Sequence, residues 1–433
     1  MNRKQDSVGR RVPKGYRTGT HRSVSPEETL RRVRPFMSRM GITRIATLTG
    51  LDRLGVPVVS ASRPNARSLS VSQGKGLDLT AAKASALMES VESFHGEHIR
   101  LPLRLSSHDA LRASQPVVDV AALPRVSGSG FHPGLRMLWI EGRDLRVGAP
   151  VWLPFELVHT DFTLPLPDGS GAFPMTSNGL ASGNHLLEAI SHGLCEVVER
   201  DATTLWSLQT ETARRHTRLR LDTVDDPACL QVLAQVERAD MEVALWETTT
   251  DVGLPAFLCT VAERFLDPLR PRAPTTGAGC HPCREVALLR ALTEAIQIRT
   301  TFISGARDDL GNASCYADYL DPERWRQEVA RMRGEQPVRC FQDVPTFAGQ
   351  SFNEDVAWEL ERLVAAGLKQ VVVVDLTWPE FGIPVVRVVI PGLEPLFEVA
   401  GYVPGTRGRQ KLEERSHDLR LRGTDAPSPG GTA

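Results

Sequence analysis

One segment, Thr176–Asp201, constrains the fold of this 433-residue chain most strongly, because its helix must carry acidic groups and also pack into a core. Its apolar residues recur at three-to-four-residue spacing, which predicts a buried amphipathic helix. A second stripe of the same helix is polar, with members offset by 4, 8 and 11 residues from the first: Glu188, His192, Glu196 and Glu199. The glutamates of this stripe repel one another unless cations face them.

The same spacing occurs in three windows of the chain. In each window a polar residue is followed by Glu four residues later and by Glu or Gln seven residues later. The windows are Ser85/Glu89/Glu92, His192/Glu196/Glu199 and Arg290/Glu294/Gln297. Three such helices could converge to hold divalent cations, because magnesium prefers carboxylate oxygens and brings phosphate with it. The alternative is three solvated helix faces, which the absence of Lys between the named positions disfavours.

The chain resembles the YcaO family, and especially the subgroup that works with a TfuA partner. The segments that carry the resemblance occur in the family's order: Gly41–Gly76, Ala84–Ser93, Ser177–Ala202, Gly277–Arg299 and Val385–Pro395. The resemblance implies an α+β, YcaO-type fold with mixed sheets and packed helices that form a single large ATP-binding unit. It therefore overrides the two or three domains that length alone would suggest.

The predicted boundaries divide the chain into three parts. Residues 1–40 form an N-terminal extension, disordered to residue 24 and then a docking helix with Ser25 as its N-cap and Pro26 at its first position. Residues 41–405 form the YcaO domain. Residues 406–433, charged and then rich in Pro, Gly and Ser, are expected to be a disordered tail.

The resemblance also implies roles for individual residues. Magnesium is assigned to four carboxylates: Glu89, Glu92, Glu196 and Glu199. Phosphate contacts are assigned to Lys75, Arg200 and Arg307, of which the two arginines are the expected catalytic residues. Orientation of the nucleotide is assigned to Ser72, Asn178, Asn184 and Gln297. Lys75 also fits a phosphate cradle on its own, since it stands between two glycines just before a helix start, although Walker A spacing is absent.

Two features near these residues leave alternatives open. Ser93 stands where many family members have Arg, and either Arg63 or Arg67 is expected to replace that charge. His281 is interpreted either as a core or cap histidine or as a nucleotide contact. Zinc binding by Cys280 and Cys283 is disfavoured because no second ligand pair follows at a suitable distance, so Cys283 is expected to cap the next helix.

Composition excludes several functional classes. The 51 basic and 52 acidic residues give no electrostatic case for binding nucleic acid or an anionic membrane. The chain has no run of 18 apolar residues and no apolar segment near its N-terminus, so a cytoplasmic, soluble protein is expected. The seven cysteines are too scattered for a disulfide scaffold.

The function implied by the resemblance is ATP- and Mg²⁺-dependent activation of a peptide backbone amide. Thioamide formation is favoured in the modification of a ribosomally synthesised precursor peptide or a protein, with a TfuA-like partner and sulfide or another sulfur donor. The tail has only Pro427 and Pro429 in place of the Pro-x-Pro-x-Pro end of azoline-forming members, and no leader-binding domain is evident. An azoline-forming cyclodehydratase acting on Cys, Ser or Thr remains an alternative, as does a non-catalytic nucleotide-binding accessory factor for sulfur transfer. The family also implies a homodimer.

Overall fold

The computed structural model describes residues 10–267, 272–307 and 320–423. Its strands are β1 (Arg44–Thr47), β2 (Val58–Ser62), β3 (Val71–Lys75), β4 (Leu103–Ser106), β5 (Met137–Asp144), β6 (Ala149–Pro154), β7 (Leu180–Ser182), β8 (Met241–Glu247), β9 (Ala256–Glu263), β10 (Thr275–Cys280), β11 (Val372–Asp375) and β12 (Val385–Val389). Its helices are α1 (Pro26–Val33), α2 (Leu79–Glu97), α3 (His108–Arg112), α4 (Leu186–Leu208), α5 (Glu211–Arg215), α6 (Pro227–Arg238), α7 (Arg284–Ser304), α8 (Pro322–Gly334), α9 (Phe352–Ala365) and α10 (Thr406–Gly423).

The strands form three sheets with antiparallel pairing. Two sheets have three strands each, in the orders β1-β2-β3 and β10-β9-β8. The third follows the order β4-β5-β11-β12-β7, with β6 paired to β5. Helices pack on all three sheets, which confirms the predicted α+β class.

Glycines set how closely two of the acidic helices approach their strands. A Cβ added at Gly74 in β3 would collide with the backbone nitrogen of Ala86 in α2, and one at Gly277 in β10 with that of Ala295 in α7. Only glycine permits this approach. The Gly74-Lys75-Gly76 segment, interpreted above as a phosphate cradle, therefore has a packing requirement of its own.

Residues 10–24 are ordered, which corrects the predicted disorder for that part of the N-terminal segment, and residues 1–9 lie outside the described residues. Residues 10–25, called the N-terminal clip below, form a hairpin in which Tyr16 and Arg22 exchange two backbone hydrogen bonds of 2.9 Å. Lys14 Nζ lies 2.7 Å from Asp355 Oδ2, with both side chains fully buried. Ser25 caps α1 as predicted, but α1 ends at Val33 rather than near Met40, because Pro35 has no backbone N–H to continue the α-helical hydrogen bonds, and a 3-10 turn over Arg34–Phe36 follows.

The C-terminal segment also differs from the prediction, because Thr406–Gly423 is helix α10 rather than disordered chain. Its first turn is tied to the core: Arg407 Nη2 lies 3.0 Å from Asp201 Oδ2, and the Gly408 amide donates to Glu394 Oε1 at 2.7 Å. Residues 424–433 lie outside the described residues, as do Asp308, Asp309 and Cys315. Among the described helices, none combines the length and the apolar character that a membrane span requires.

Candidate functional site

The three acidic helices α2, α4 and α7 meet at one cavity of about 910 Å³. All eleven predicted site residues line it: Ser72, Lys75, Glu89, Glu92, Asn178, Asn184, Glu196, Glu199, Arg200, Gln297 and Arg307. The repeated spacing therefore places acidic side chains in a shared interior space rather than on solvated faces. We call this space the carboxylate cavity.

Backbone amides of the neighbouring strands orient the carboxylates. Glu92 Oε1 accepts hydrogen bonds from the amide and the hydroxyl of Ser182, at 2.8 and 2.7 Å. Glu199 Oε2 accepts from the Cys280 amide at 3.0 Å. Glu89 Oε2 accepts from the amide of Gln73 at 3.3 Å. These four hydrogen bonds engage one oxygen of each of the three carboxylates, which fixes the orientation of each carboxylate in the cavity.

Burial makes the charged forms of the four carboxylates unfavourable. Burial raises the pKa of Glu89 to about 7 and that of Glu92 to about 8. Burial also raises the pKa of Glu196 and Glu199, although Arg200 opposes this effect at both. A bound divalent cation would relieve this cost, so the donor set fits magnesium chemically.

Among the described residues, no group of three or more His, Cys, Asp or Glu could hold a metal ion. Magnesium commonly takes one or two carboxylates and completes its coordination with phosphate oxygens and water. The arrangement therefore suits a magnesium ion that arrives with a nucleotide.

Cations line the same cavity. Lys75 Nζ lies 2.6 Å from Glu294 Oε2, and Arg200 Nη1 lies 3.8 Å from Glu199 Oε1. Burial disfavours the Glu294 carboxylate, but Lys75 and Arg200 outweigh burial and lower its pKa to about 2. Lys75 thus has an anionic partner before any phosphate is present.

The predicted nucleotide-orienting residues differ in how their polar atoms are engaged. Asn178 Oδ1 is buried and has no hydrogen-bond partner among the described residues, so it is available to a ligand. Asn184 is already held, since its Oδ1 accepts from Thr29 Oγ1 at 3.2 Å and its Nδ2 donates to Glu188 Oε1 at 3.4 Å. Gly179, next to Asn178, has a φ of 77°, which confirms the predicted turn with positive φ.

Several lining residues were not assigned to the site from the sequence: Arg22, Glu188, His192, Arg290 and Glu294. Four of them stood in the recognised acidic stripe or in the third repeat window, and that spacing could have identified them. Arg22 carried no such signal, because it belongs to the N-terminal clip. Arg22 Nε lies 3.7 Å from Glu188 Oε1 in α4.

Neither arginine expected to compensate for Ser93 lines the carboxylate cavity. Arg63 is buried in a pair with Glu97, with Nη2 2.5 Å from Oε2. Arg67 Nη1 lies 2.8 Å from Asp161 Oδ2. Both guanidinium groups are paired with carboxylates outside the carboxylate cavity. The expectation that one of them replaces the missing charge at Ser93 was therefore wrong.

His281 and Cys283 have structural positions at the start of α7. His281 Nδ1 accepts the Cys283 amide at 3.0 Å, and its ring meets the ring of His21 edge-on with centroids 4.9 Å apart. Cys283 occupies the N-cap position of α7, but its side chain makes no capping hydrogen bond, and its thiol donates to Glu285 Oε2 at 2.8 Å. The contacts of His281 fit a structural role, whereas Cys283 caps the helix by position only.

We expect the ligand-free protein to lose stability as the pH rises from about 7 to 8. Glu92 has a folded pKa of about 8 against an ordinary 4.5, so the folded state keeps a proton that the unfolded state has released. For one such group the free energy of unfolding falls by up to about 1.4 kcal/mol per pH unit. Buried neutral histidines add little slope in this range, because they are largely uncharged in both states.

Thermal melts without nucleotide, at several pH values, measure this slope. The Glu92→Gln variant should show a shallower dependence, whereas Glu361→Gln, at an exposed position of α9, should match the wild type. Equal slopes for Glu92→Gln and the wild type would contradict the assignment of the raised pKa to Glu92.

Comparison with known proteins identifies relatives along most of the chain. Residues 73–394 match the family described as YcaO cyclodehydratase, ATP- and Mg²⁺-binding. An uncharacterized protein in the tfuA 3′ region of Rhizobium leguminosarum bv. trifolii is 38% identical over 380 residues, covering 86% of this chain and 88% of that protein. An uncharacterized protein of Methanothermobacter thermautotrophicus is 34% identical over 396 residues, covering 90% of this chain and 99% of that protein.

Two solved structures share the fold. YcaO from Methanopyrus kandleri, bound with AMPPCP and Mg²⁺, superimposes with a TM-score of 0.71 at 24% identity and covers 91% of this chain and 98% of its own. A heterocyclase in complex with substrate and cofactor gives a TM-score of 0.75 at 23% identity over 92% of this chain. The chain spans only 55% of that heterocyclase. The predicted YcaO-type fold is thereby confirmed.

Proposed function

We propose that this chain, which belongs to the YcaO family, forms thioamides in a peptide or protein substrate together with a TfuA-like partner. Membership makes it an ATP- and Mg²⁺-binding enzyme of the kind that activates peptide backbone amides. The observation that carries the proposal is the meeting of three carboxylate-bearing helices and several cations at one cavity. Thioamide chemistry is favoured by the Rhizobium relative, which is named for its position beside tfuA.

The reaction requires the amide oxygen to become a leaving group. In the proposed sequence, sulfide adds to the amide carbon, and the former carbonyl oxygen then takes the γ-phosphoryl group of ATP. That oxygen departs as phosphate, the nitrogen stays attached, and a carbon–sulfur double bond remains after a proton is lost. Magnesium, when bound, neutralises charge on the phosphoryl group during transfer. None of these steps requires a nucleophile from the protein.

The chain's own residues would bind and orient the reactants. We assign magnesium to the four carboxylates Glu89, Glu92, Glu196 and Glu199, and phosphate contacts to Lys75, Arg200 and Arg307. Asn178, Ser72 and Gln297 would orient the nucleotide. Asn184 fits better as a group that holds Glu188 in place, because both ends of its amide are engaged.

Azoline formation is the second candidate, and the family's description as a cyclodehydratase favours it. The nucleophile would then be a Cys, Ser or Thr side chain of the peptide instead of sulfide, and the same residues would activate the amide. The sulfur donor, a homodimer and the boundaries of a catalytic unit at residues 41–405 stay predictions.

Intact-mass spectrometry of a candidate precursor peptide separates the two reactions. The peptide would be incubated with the protein, a TfuA-like partner, ATP, magnesium and sulfide. We expect a gain of about 16 Da, since sulfur replaces oxygen, whereas azoline formation gives a loss of about 18 Da. An unchanged peptide with ATP bound but not consumed would contradict both and favour a non-catalytic accessory factor.

A further inference from the structure

A second cavity of about 470 Å³ lies beside the carboxylate cavity. Its apolar lining consists of Ile99, Phe155, Pro165, Pro167 and Trp378. Two arginines in its lining are already paired: Arg67 Nη1 lies 2.8 Å from Asp161 Oδ2, and Arg100 Nη1 lies 2.7 Å from Glu380 Oε1. An anionic ligand would compete with these carboxylates, so the cavity is better suited to a neutral, apolar group.

The two cavities share a wall built from residues 67–68 and 160–163. The Phe162 amide donates to the Arg67 carbonyl across this wall at 3.0 Å. Successive residues of both segments line opposite sides. The carboxylate cavity is lined by Ser68, Thr160 and Phe162, and the second cavity by Arg67, Asp161 and Thr163.

Helix α2 connects the two cavities as well. Glu92 and Ser93 line the carboxylate cavity, whereas Gly96 and Glu97 line the second one. Four residues of α-helix rise about 6 Å. Because an extended chain spans about 3.3–3.6 Å per residue, a peptide whose amide lies near Glu92 could reach the second cavity with a side chain a few residues away.

His159 adds a buried polar group to the second cavity. The residue is 2% exposed and its ring stacks on Phe155 with centroids 4.6 Å apart. Among the described residues no side-chain or backbone group meets full hydrogen-bond geometry with either ring nitrogen, although the Asp161 backbone acts on the ring. Burial lowers the pKa of His159, with Asp161 opposing and Arg387 adding to the effect, so the ring is neutral. A neutral imidazole has one donor and one acceptor, and each peptide residue offers one of each.

We propose that the second cavity binds an apolar side chain of the substrate peptide, a few residues from the amide that is activated. The inference rests on the proposed function, because it takes the substrate to be a peptide. Exposed apolar residues on the loop between the cavities, Phe162 at 41% and Leu164 at 84% exposure, fit a surface over which such a peptide passes.

The test uses two defined peptides, acetyl-Gly-Gly-Phe-Gly-Gly-amide and its Ala analogue, titrated by saturation-transfer NMR with AMPPCP and Mg²⁺ present. Thr163→Trp should fill the second cavity from its exposed lining position. Val147→Trp is the matched control, since Val147 is 72% exposed in the turn between β5 and β6 and lines neither cavity. We expect the wild type and Val147→Trp to bind the Phe peptide about tenfold more tightly than the Ala peptide, from burial of the ring. Thr163→Trp should lose that preference.

A Phe preference that survives Thr163→Trp, or no preference in the wild type, would overturn the proposal. AMPPCP binding and thermal melts of all three proteins verify that the fold and the nucleotide site are intact. Peptide binding is measured without turnover, so a failure of thioamide formation leaves this result interpretable. Conversely, if the wild type shows no preference for the Phe peptide, the amide-activation proposal is not affected.

Discussion

Replacing Glu196 and Glu199 together by glutamine is expected to abolish ATP turnover. Both residues line the carboxylate cavity from α4 and are two of the four carboxylates assigned to magnesium. Glutamine keeps the size and a carbonyl oxygen but removes the charge that a hard cation requires. We expect kcat/KM for ATP to fall by at least about a hundredfold, the scale of losing charge stabilisation in the transition state.

The same variant separates a role in ligand binding from a role in stability. Burial raises the pKa of both carboxylates, so the ligand-free fold holds them at a cost. Neutral glutamines should therefore leave the melting temperature of the ligand-free protein unchanged or higher. Phosphate release and thermal melts measure the two effects, with Glu361→Gln as the exposed control. Undiminished ATP hydrolysis in the double variant would remove the metal assignment.

The acidic site could be predicted from the sequence because its signal is local. The spacing of Glu89 to Glu92 and of Glu196 to Glu199 fixes which face of a helix each pair occupies, whatever the rest of the fold does. Convergence of the helices followed from the repetition of that spacing, since three charged stripes would otherwise have to be solvated. Their shared cavity agrees with this reasoning.

The N-terminal clip and α10 could not be predicted in the same way. Both segments are polar and lack apolar periodicity, and their order depends on partners far along the chain. Lys14 pairs with Asp355, 341 residues away, and Arg407 with Asp201, 206 residues away. Composition reports only how polar a segment is on average. Whether the segment is ordered depends here on a buried ion pair, and the partner of that pair is known only once the chain has folded.

Gly74 and Gly76 show a different limit. Glycines on either side of a lysine fit a phosphate cradle, and they also fit a strand that a helix approaches closely. Glycine satisfies both requirements because it has no side chain, so the residue type alone cannot distinguish a phosphate cradle from a close helix–strand contact. The collision of an added Cβ with the backbone of α2 identifies the packing demand, and the position of Lys75 in the cavity leaves the phosphate contact possible as well.

Replacing Lys14 by alanine is expected to cause the largest loss of stability of any substitution in the N-terminal clip. The Lys14–Asp355 pair is fully buried on both sides, and removing one partner leaves an uncompensated charge in the interior. Such changes destabilise proteins by about 3–5 kcal/mol. Burial raises the pKa of Asp355 even with Lys14 opposing, so without Lys14 the loss should shrink at acid pH, where the carboxyl takes up a proton.

Arg11→Ala is the matched control, because Arg11 belongs to the same segment and pairs with the neighbouring Glu354 at 3.3 Å on the surface. An exposed pair contributes about 0–1 kcal/mol, so chemical denaturation should distinguish the two variants clearly.

The hairpin of the clip lines the carboxylate cavity, through Thr18, Gly19, Thr20 and Arg22. Release of the clip should therefore also weaken ATP binding. Equal stability and equal ATP affinity in the two variants would mean that the clip is not anchored through Lys14. If Lys14→Ala alone loses both, the clip is a structural part of the nucleotide site, although it precedes the segment that matches the family.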